Sequence, residues 1–192
     1  MNGNKLSFDI LFCMRNIFYI TGVNGIGKST LISQLAEKLD TSICKIHDFD
    51  ERGVPDNADK VWRKSETLHW TRVGKENLIK GNSTIICGFM KFPEIAESLE
   101  KEEVVGKICL LDANEEIITE RILGRYIDNP EGVLDLNRAV GKTPEKFASD
   151  NVWVSSQFRE QAKEAGYFIV DTSDLSPEEV GKEIVNWIEL LE

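Results

Sequence analysis

The chain has 192 residues, enough for a single domain over residues 1–192 whose core needs neither disulfides nor a structural metal. Acidic residues outnumber basic ones by 33 to 23, the formal net charge is −10, and the basic residues form no stripe, so a nucleic-acid partner is disfavoured. No run has the length and hydrophobicity of a membrane span or a signal peptide, which argues against a membrane partner.

The cysteines are widely separated and show no ligand spacing. We interpret them as buried, reduced thiols of a cytoplasmic protein. They are Cys13, Cys44, Cys87 and Cys109.

Five short apolar runs rich in β-branched residues predict strands, and helical patterns separate them. The predicted strands are 17–21, 43–47, 83–88, 107–111 and 167–170. Helices are predicted after the glycine-rich loop, over about 59–80, after Pro93, over 114–125, and after Ser176, where a serine, a proline and a glutamate form a start signal. The alternation predicts an α/β fold of three layers, α/β/α, with a five-stranded parallel sheet that binds ligands beyond the C-terminal ends of its strands.

Residues 126–150 interrupt this alternation with glycine, proline and charge but little sustained periodicity. A long irregular segment inside a compact domain is usually functional, so we expect a lid here. At the other end of the chain, residues 1–13 are predicted to be a possible extension before the first strand.

Residues 22–29, GVNGIGKS, match the phosphate-loop pattern GxxxxGK[ST] between a predicted strand and a predicted helix. Glycines allow backbone N–H groups to turn toward phosphates, and the helix dipole adds positive potential. Lys28 is expected to contact the β- and γ-phosphates, and the Ser29 hydroxyl is expected to ligate Mg²⁺. The nucleotide-binding residues predicted in this loop are Gly22, Asn24, Gly25, Ile26, Gly27, Lys28, Ser29 and Thr30.

Other classes of protein that use such a loop carry further motifs, and this chain lacks them. A GTPase needs an NKxD-like element and a transporter ATPase an LSGGQ-like signature, and neither is present. A motor ATPase usually has an acid at the end of a hydrophobic strand, where this chain has Cys87 in 85-IICGF-89. These absences favour phosphoryl transfer to another molecule.

Two acids support that interpretation. Asp48 and Asp50 are two residues apart at the end of the second predicted strand, so both can project to one side, toward the phosphates. One carboxylate would support the metal through water, and the other would orient and deprotonate an acceptor hydroxyl. The alternative is a pair of turn or capping acids.

Two arginines support it as well. Arg121 and Arg125 are four apart and share a helix face, from which a guanidinium can stack on a base or bridge phosphates. The alternative is that they balance Glu115, Glu116 and Glu120.

From about residue 15 to 188 the chain resembles the small P-loop kinases of the nucleoside monophosphate kinase and shikimate kinase group, which have the P-loop NTP hydrolase-type fold. The run 121-RILGR-125 is similar to the Arg-x-x-Gly-Arg of adenylate kinases. That resemblance implies Arg121 against adenine, Arg125 on the transferred phosphate, and Thr172 bordering the adenine. Asp48-Phe49-Asp50 resembles the Asp-x-Asp of shikimate kinases, which implies that Asp48 supports Mg²⁺ and Asp50 contacts the acceptor hydroxyl.

The sequence thus predicts a kinase that depends on ATP and Mg²⁺, phosphorylates a small molecule, and uses Lys28, Asp50 and Arg125 for catalysis. The alternatives are a nucleoside or nucleoside monophosphate kinase, and an ATP-binding regulatory module without transfer activity.

Arg63 is expected either to hold an anionic group of the acceptor or to be solvated. Neither the acceptor nor the oligomeric state is predicted. Charged residues in or just after the lid segment are expected to close on phosphate or to remain mobile; they are Arg138, Lys142 and Arg159.

Overall fold

The computed structural model of the chain describes residues 16–56 and 58–191. The predicted extension, residues 1–13, and with it Cys13, lies outside the described residues. The described strands are β1 (Ile17–Thr21), β2 (Cys44–Asp48), β3 (Ser83–Gly88), β4 (Gly106–Asp112) and β5 (Phe168–Asp171). Each lies within one residue of its predicted bounds.

The five strands form one parallel sheet in the order β2-β3-β1-β4-β5. Strand β1 is therefore central, between β3 and β4. Its five residues are all buried, because both faces of the sheet are covered. The loop that follows β1 emerges where the strand order reverses, which is the usual ligand-binding crevice of such sheets.

Seven helices are described around the sheet. They are α1 (Lys28–Lys38), α2 (Lys60–Ile79), α3 (Phe92–Glu102), α4 (Glu115–Leu123), α5 (Pro130–Val140), α6 (Pro144–Ala165) and α7 (Pro177–Glu189). No helix of the described residues is both long and apolar enough to cross a membrane.

The alternating side chains of β1 define the two cores. Phe18 and Ile20 pack with the apolar faces of α1 and α7, whereas Ile17 and Tyr19 pack with α2, α3 and the second half of α6. Trp187 of α7 contacts Phe18 edge-on, with ring centroids 5.4 Å apart. The predicted three-layer α/β/α fold is confirmed.

The start of α7 is also as predicted. The Ser176 hydroxyl accepts from the Glu179 N–H at 3.3 Å, and the Glu179 carboxylate accepts from the Ser176 N–H at 2.8 Å, which together make a capping box.

The prediction of an irregular segment over 126–150 is wrong. This stretch contains α5 and the beginning of α6, and no helix was predicted over the remainder of α6. Asn129 and Thr143 cap the two helices, each followed by a proline at the first position, and Gly141 ends α5 with a φ of 66°. Only Leu136 of α5 is buried, so the helix contributes little to the cores.

Candidate active site

The loop between β1 and α1 turns at glycines for steric reasons. Gly25 and Gly27 have φ angles of 83° and 100°, a region that residues with a side chain rarely adopt. Gly22 passes so close to β4 that a Cβ there would lie 2.5 Å from the Leu111 carbonyl oxygen. Helix α1 begins directly at Lys28 with no side-chain cap on its first turn, so its free N–H groups are available to an anion.

A cavity of about 140 Å³ opens at the head of this loop. We call it the phosphate cavity. It brings together residues that the sequence singled out on three separate elements, namely Lys28 and Ser29 of α1, Asp48 and Asp50 at the end of β2, and Arg125 after α4. Its other lining residues are Asn24, Gly25, Gly27, Thr30, Cys87 and Gly88.

Lys28 points back over the loop. Its ammonium donates to the carbonyl oxygens of Gly22 and Val23 at 2.9 and 2.7 Å. Burial lowers the pKa of Lys28 to about 8, although the nearby carboxylates oppose that shift. The free protein therefore holds this charge less firmly than a surface lysine does.

Asp48 and Asp50 are related by a local turn. One Asp48 carboxylate oxygen accepts a hydrogen bond from the backbone N–H of Asp50 at 2.9 Å. Asp48 therefore stabilises the turn and also lines the phosphate cavity. Desolvation in the cavity and the negative charge of Asp48 raise the pKa of Asp50, and Lys28 opposes the rise. A carboxylate with a raised pKa is better matched to accept a proton near neutral pH.

The oxygen donors in the phosphate cavity fit a Mg²⁺ ion. The Ser29 hydroxyl and the Asp48 carboxylate are ligands that Mg²⁺ prefers, and this ion is commonly held by one or two protein groups together with substrate phosphates. Within the described chain, no cluster of three or more His, Cys, Asp or Glu residues could form an all-protein metal cage. Cys87 stands where an acid is often found, and burial raises the pKa of its thiol to about 12, so it is neutral.

A second, larger cavity of about 320 Å³ adjoins the other side of the loop. We call it the nucleoside cavity. Arg121 forms part of its wall, and two hydrogen bonds hold the guanidinium: Nη1 donates to Thr172 Oγ1 at 3.0 Å and Nη2 to the Thr172 carbonyl oxygen at 2.8 Å. The remaining lining residues are Gly25, Ile26, Gly27, Thr30, Leu31, Arg125, Leu175, Pro177 and Val180.

Arg125 lines both cavities, as do Gly25, Gly27 and Thr30 of the loop and the first turn of α1. The Arg125 side chain is exposed, and its guanidinium makes no hydrogen bond or ion pair with the described residues. Neither it nor Arg121 is paired with the glutamates of α4. The alternative that these arginines only balance neighbouring acids is therefore not observed.

Sequence reasoning missed several residues of the site. Leu175, Pro177 and Val180 were not assigned to it, although the predicted start of the last helix placed them just beyond the last strand. Asn151 of α6 was missed altogether: its side-chain oxygen accepts from the backbone N–H of Asn24 at 3.0 Å and so ties α6 to the phosphate loop. No sequence signal could have found it, because α6 itself was not predicted.

The other charged residues that the sequence singled out form ion pairs outside the two cavities. Arg159 pairs with the buried Asp112 at the end of β4, and Arg63 pairs with the buried Glu94. Arg138 pairs with Asp135 on α5, and Lys142 pairs with Asp150 on α6. None of the four lines either cavity. Of the two tryptophans on α2, Trp70 is buried in the core and Trp62 packs edge-on against Phe49.

Comparisons with known proteins bear on the fold and on the class of protein. No family model matches the chain. A protein named putative adenylate kinase from Pyrococcus furiosus is 29% identical over 150 residues, 70% of this chain and 81% of that protein. The solved shikimate kinase from Acinetobacter baumannii is 18% identical with a TM-score of 0.57 over 92% of this chain and 94% of its own, and thymidylate kinase from Candida albicans is 17% identical with a TM-score of 0.57 over 92% of each.

The chain therefore has the fold of the small P-loop kinases. Within that fold it is similar to the group that includes the nucleoside monophosphate kinases and shikimate kinases, and its sequence is similar to that of the Pyrococcus furiosus protein.

Proposed function

We propose that this protein is an ATP- and Mg²⁺-dependent phosphotransferase that moves the γ-phosphoryl group of ATP to a hydroxyl of a small molecule. The observation that carries the proposal is the meeting of Lys28 and Asp50 in one cavity at the head of the loop. A cation for the donor phosphate and a base for the acceptor then line the same cavity, as transfer between two bound molecules requires.

The donor would lie across both cavities. Its base and ribose would occupy the nucleoside cavity beside Arg121 and Thr172, and its phosphates would lie on the loop and the first turn of α1. Lys28 would contact the β- and γ-phosphates, and the free guanidinium of Arg125 would contact the transferred phosphate. Ser29 and Asp48 would hold Mg²⁺, which when bound neutralises phosphate charge.

In the transfer step one bond to phosphorus replaces another, and one proton moves. The acceptor oxygen forms a bond to the γ-phosphorus while the bond from that phosphorus to the bridging oxygen breaks, and ADP leaves with the electron pair. Asp50 takes the proton of the acceptor hydroxyl, a role that its raised pKa supports. Lys28 and Arg125 stabilise the negative charge that develops during transfer.

The segment 126–150 leaves the phosphate cavity directly after Arg125, which supports a lid. Helix α5 buries only Leu136 and is thus weakly attached to the cores. Closure of α5 over the nucleotide would exclude water from the transferring group.

A cytoplasmic location is also proposed, because ATP and reduced thiols occur there together and the three described cysteines are free and buried.

A nucleoside or nucleoside monophosphate kinase is the second candidate, since the Pyrococcus furiosus relative is named as a putative adenylate kinase. An ATP-binding module without transfer activity is not favoured, because such a module has no use for an acid placed like Asp50.

The test uses γ-labelled ATP, Mg²⁺ and a protein-free extract of cellular small molecules. Wild-type protein is expected to move label into an organic phosphate. Lys28→Ala, checked for an unchanged melting temperature, should lower the rate at least about a hundredfold, because it removes a cation made for the transferring phosphate. ATP binding without any labelled organic product in the wild type would contradict the proposal.

A further inference from the structure

The acceptor must approach Asp50 from the side of the cavity away from the phosphate loop. That side is formed by the turn after β2, the first half of α2 and the exit of β3. Two arginines lie there, Arg52 in the turn and Arg63 on α2. Helix α2 packs against the turn that carries the base: Trp70 Nε1 donates to the carbonyl oxygen of Phe49, the residue before Asp50, at 3.1 Å. The Trp62 ring also lies edge-on against the Phe49 ring. The charge state of this side decides which acceptors it can receive.

Arg63 is neutralised by a buried acid. Its Nε donates to Glu94 Oε2 at 2.7 Å and its Nη2 to Glu94 Oε1 at 2.9 Å, and the Glu94 side chain is only 3% exposed. The guanidinium also lies 5.7 Å from the centre of the Phe89 ring. Two parallel hydrogen bonds to a carboxylate form the arrangement that arginine uses to bind an anion, so Glu94 already occupies the place that an acceptor anion would take.

Arg52 is also paired with an acid, through one of its nitrogens. Its Nη1 lies 3.1 and 3.3 Å from the two oxygens of Glu66, whose side chain is 10% exposed. Lys91, at the start of α3, is exposed and lines neither cavity. The two cations of the phosphate cavity, Lys28 and Arg125, are assigned to the phosphates of ATP, so neither is left for the acceptor beside Asp50.

A carboxylate or phosphate on the acceptor would meet two obstacles. To reach Arg63 it would have to displace Glu94 and leave a buried carboxylate without its partner, which is strongly unfavourable. To approach Asp50 without a cation it would be repelled by Asp48 and Asp50. A hydroxyl compound without negative charge meets neither obstacle and can donate hydrogen bonds to the same acids.

We infer that the phosphate acceptor is a hydroxyl compound that carries no negative charge, such as a nucleoside or a sugar, and is neither a nucleoside monophosphate nor a carboxylic acid. The inference rests on the proposed function and narrows it to one charge class of acceptor.

The experiment sorts candidate acceptors by charge, so the acceptor itself can still be unidentified. A protein-free extract of small molecules is passed over an anion-exchange resin, and the unbound fraction, without anions, is separated from the bound, anionic fraction. Each fraction is incubated with the protein, γ-labelled ATP and Mg²⁺, with Lys28→Ala as the blank. Label is expected in products of the unbound fraction at a rate at least about tenfold above that of the bound fraction, as one unfavourable charge contact would produce.

Faster transfer to the bound fraction, or equal transfer to both, would overturn the inference while leaving the proposed function intact. Transfer to neither fraction by a protein that binds ATP would overturn both. The failures of the two proposals are therefore distinguishable.

A double variant gives a second test. Arg63→Gln combined with Glu94→Gln removes both charges and leaves two amides that can hydrogen-bond to each other in place of the ion pair. Transfer to the unbound fraction is expected to stay within about threefold of the wild type, because no charge of the acceptor relies on Arg63. A matched surface control is Lys64→Gln with Glu97→Gln, an exposed pair on the same two helices. If the buried double variant binds ATP and melts like this control but loses transfer, Arg63 is needed for its charge and the inference is wrong.

Discussion

Arg121 holds Thr172 at two atoms, since its Nη1 donates to the hydroxyl at 3.0 Å and its Nη2 to the carbonyl oxygen at 2.8 Å. These bonds join α4 to the loop after β5 and fix the plane of the guanidinium on the wall of the nucleoside cavity. A planar cation held in place is prepared to stack on a base.

Removing one of these bonds should weaken ATP binding selectively. Thr172→Val keeps the shape but loses the hydroxyl, and a single hydrogen bond of this kind is worth about 1 kcal/mol, so KM for ATP should rise about fivefold. We expect kcat to change little, because the reacting atoms lie in the phosphate cavity. Thr119→Val, whose hydroxyl bonds within α4, is the matched control. A drop in kcat with KM unchanged would contradict this role.

Asp50→Asn should separate chemistry from binding. The amide cannot accept the hydroxyl proton, so kcat should fall by about 10²–10⁴-fold while the dissociation constant of ATP stays near that of the wild type. The measurements are the initial rate of ADP formation and ATP titration by fluorescence or calorimetry. Glu51→Gln, at the next position and bonded to His47, serves as control and should retain activity. Retained activity in Asp50→Asn would remove Asp50 from the mechanism.

The pH dependence of kcat/KM for ATP should have two limbs. Lys28 loses its positive charge as pH rises through its pKa of about 8, so the free protein should bind ATP less well above that pH. Asp50 gains a proton as pH falls through its raised pKa, so the acid limb should lie above the usual range of an aspartate. The alkaline limb should move to higher pH in kcat alone, because bound phosphates stabilise the charged lysine. A profile flat from about pH 7 to about pH 10 would be inconsistent with this.

The ion pair of Asp112 and Arg159 should stabilise the fold. The Asp112 side chain is 6% exposed and also accepts from the Ser155 hydroxyl at 2.7 Å, so it joins α6 to the end of β4. Asp112→Asn leaves Arg159 without its charged partner and should cost about 3 kcal/mol in free energy of unfolding, lowering the melting temperature by roughly 6–12 °C. Asp135→Asn breaks an exposed pair with Arg138 and should change the melting temperature little. Equal melting temperatures for the two variants would contradict the structural role of Asp112.

The strands and most of the site could be predicted from the sequence for a common physical reason. The central strands β1, β3 and β4 are buried over most of their length and read as apolar runs, and all five strands were found to within one residue. The carboxyl ends of parallel strands meet at one edge of the sheet, which is why Asp48, from β2, and Thr172, after β5, lie near the loop that follows β1.

The parts of the fold and the site that were not predicted from the sequence depend on contacts between elements. Helix α5 has almost no buried face, and α6 is held by pairs such as Arg159 with Asp112, 47 residues apart, that no local pattern shows. Arg63 looked available for an anion because its partner, Glu94, is 31 residues away on α3. Pairing of this kind is a tertiary property, and only the structure shows it.

Phosphoryl transfer is tested most directly by the stoichiometry of the products. Wild-type protein, ATP, Mg²⁺ and the unbound small-molecule fraction should form ADP and an organic phosphate in equal amounts, with both products lost together in Lys28→Ala. Formation of ADP with inorganic phosphate alone, at a rate indifferent to the added fraction, would show an ATPase and contradict a kinase.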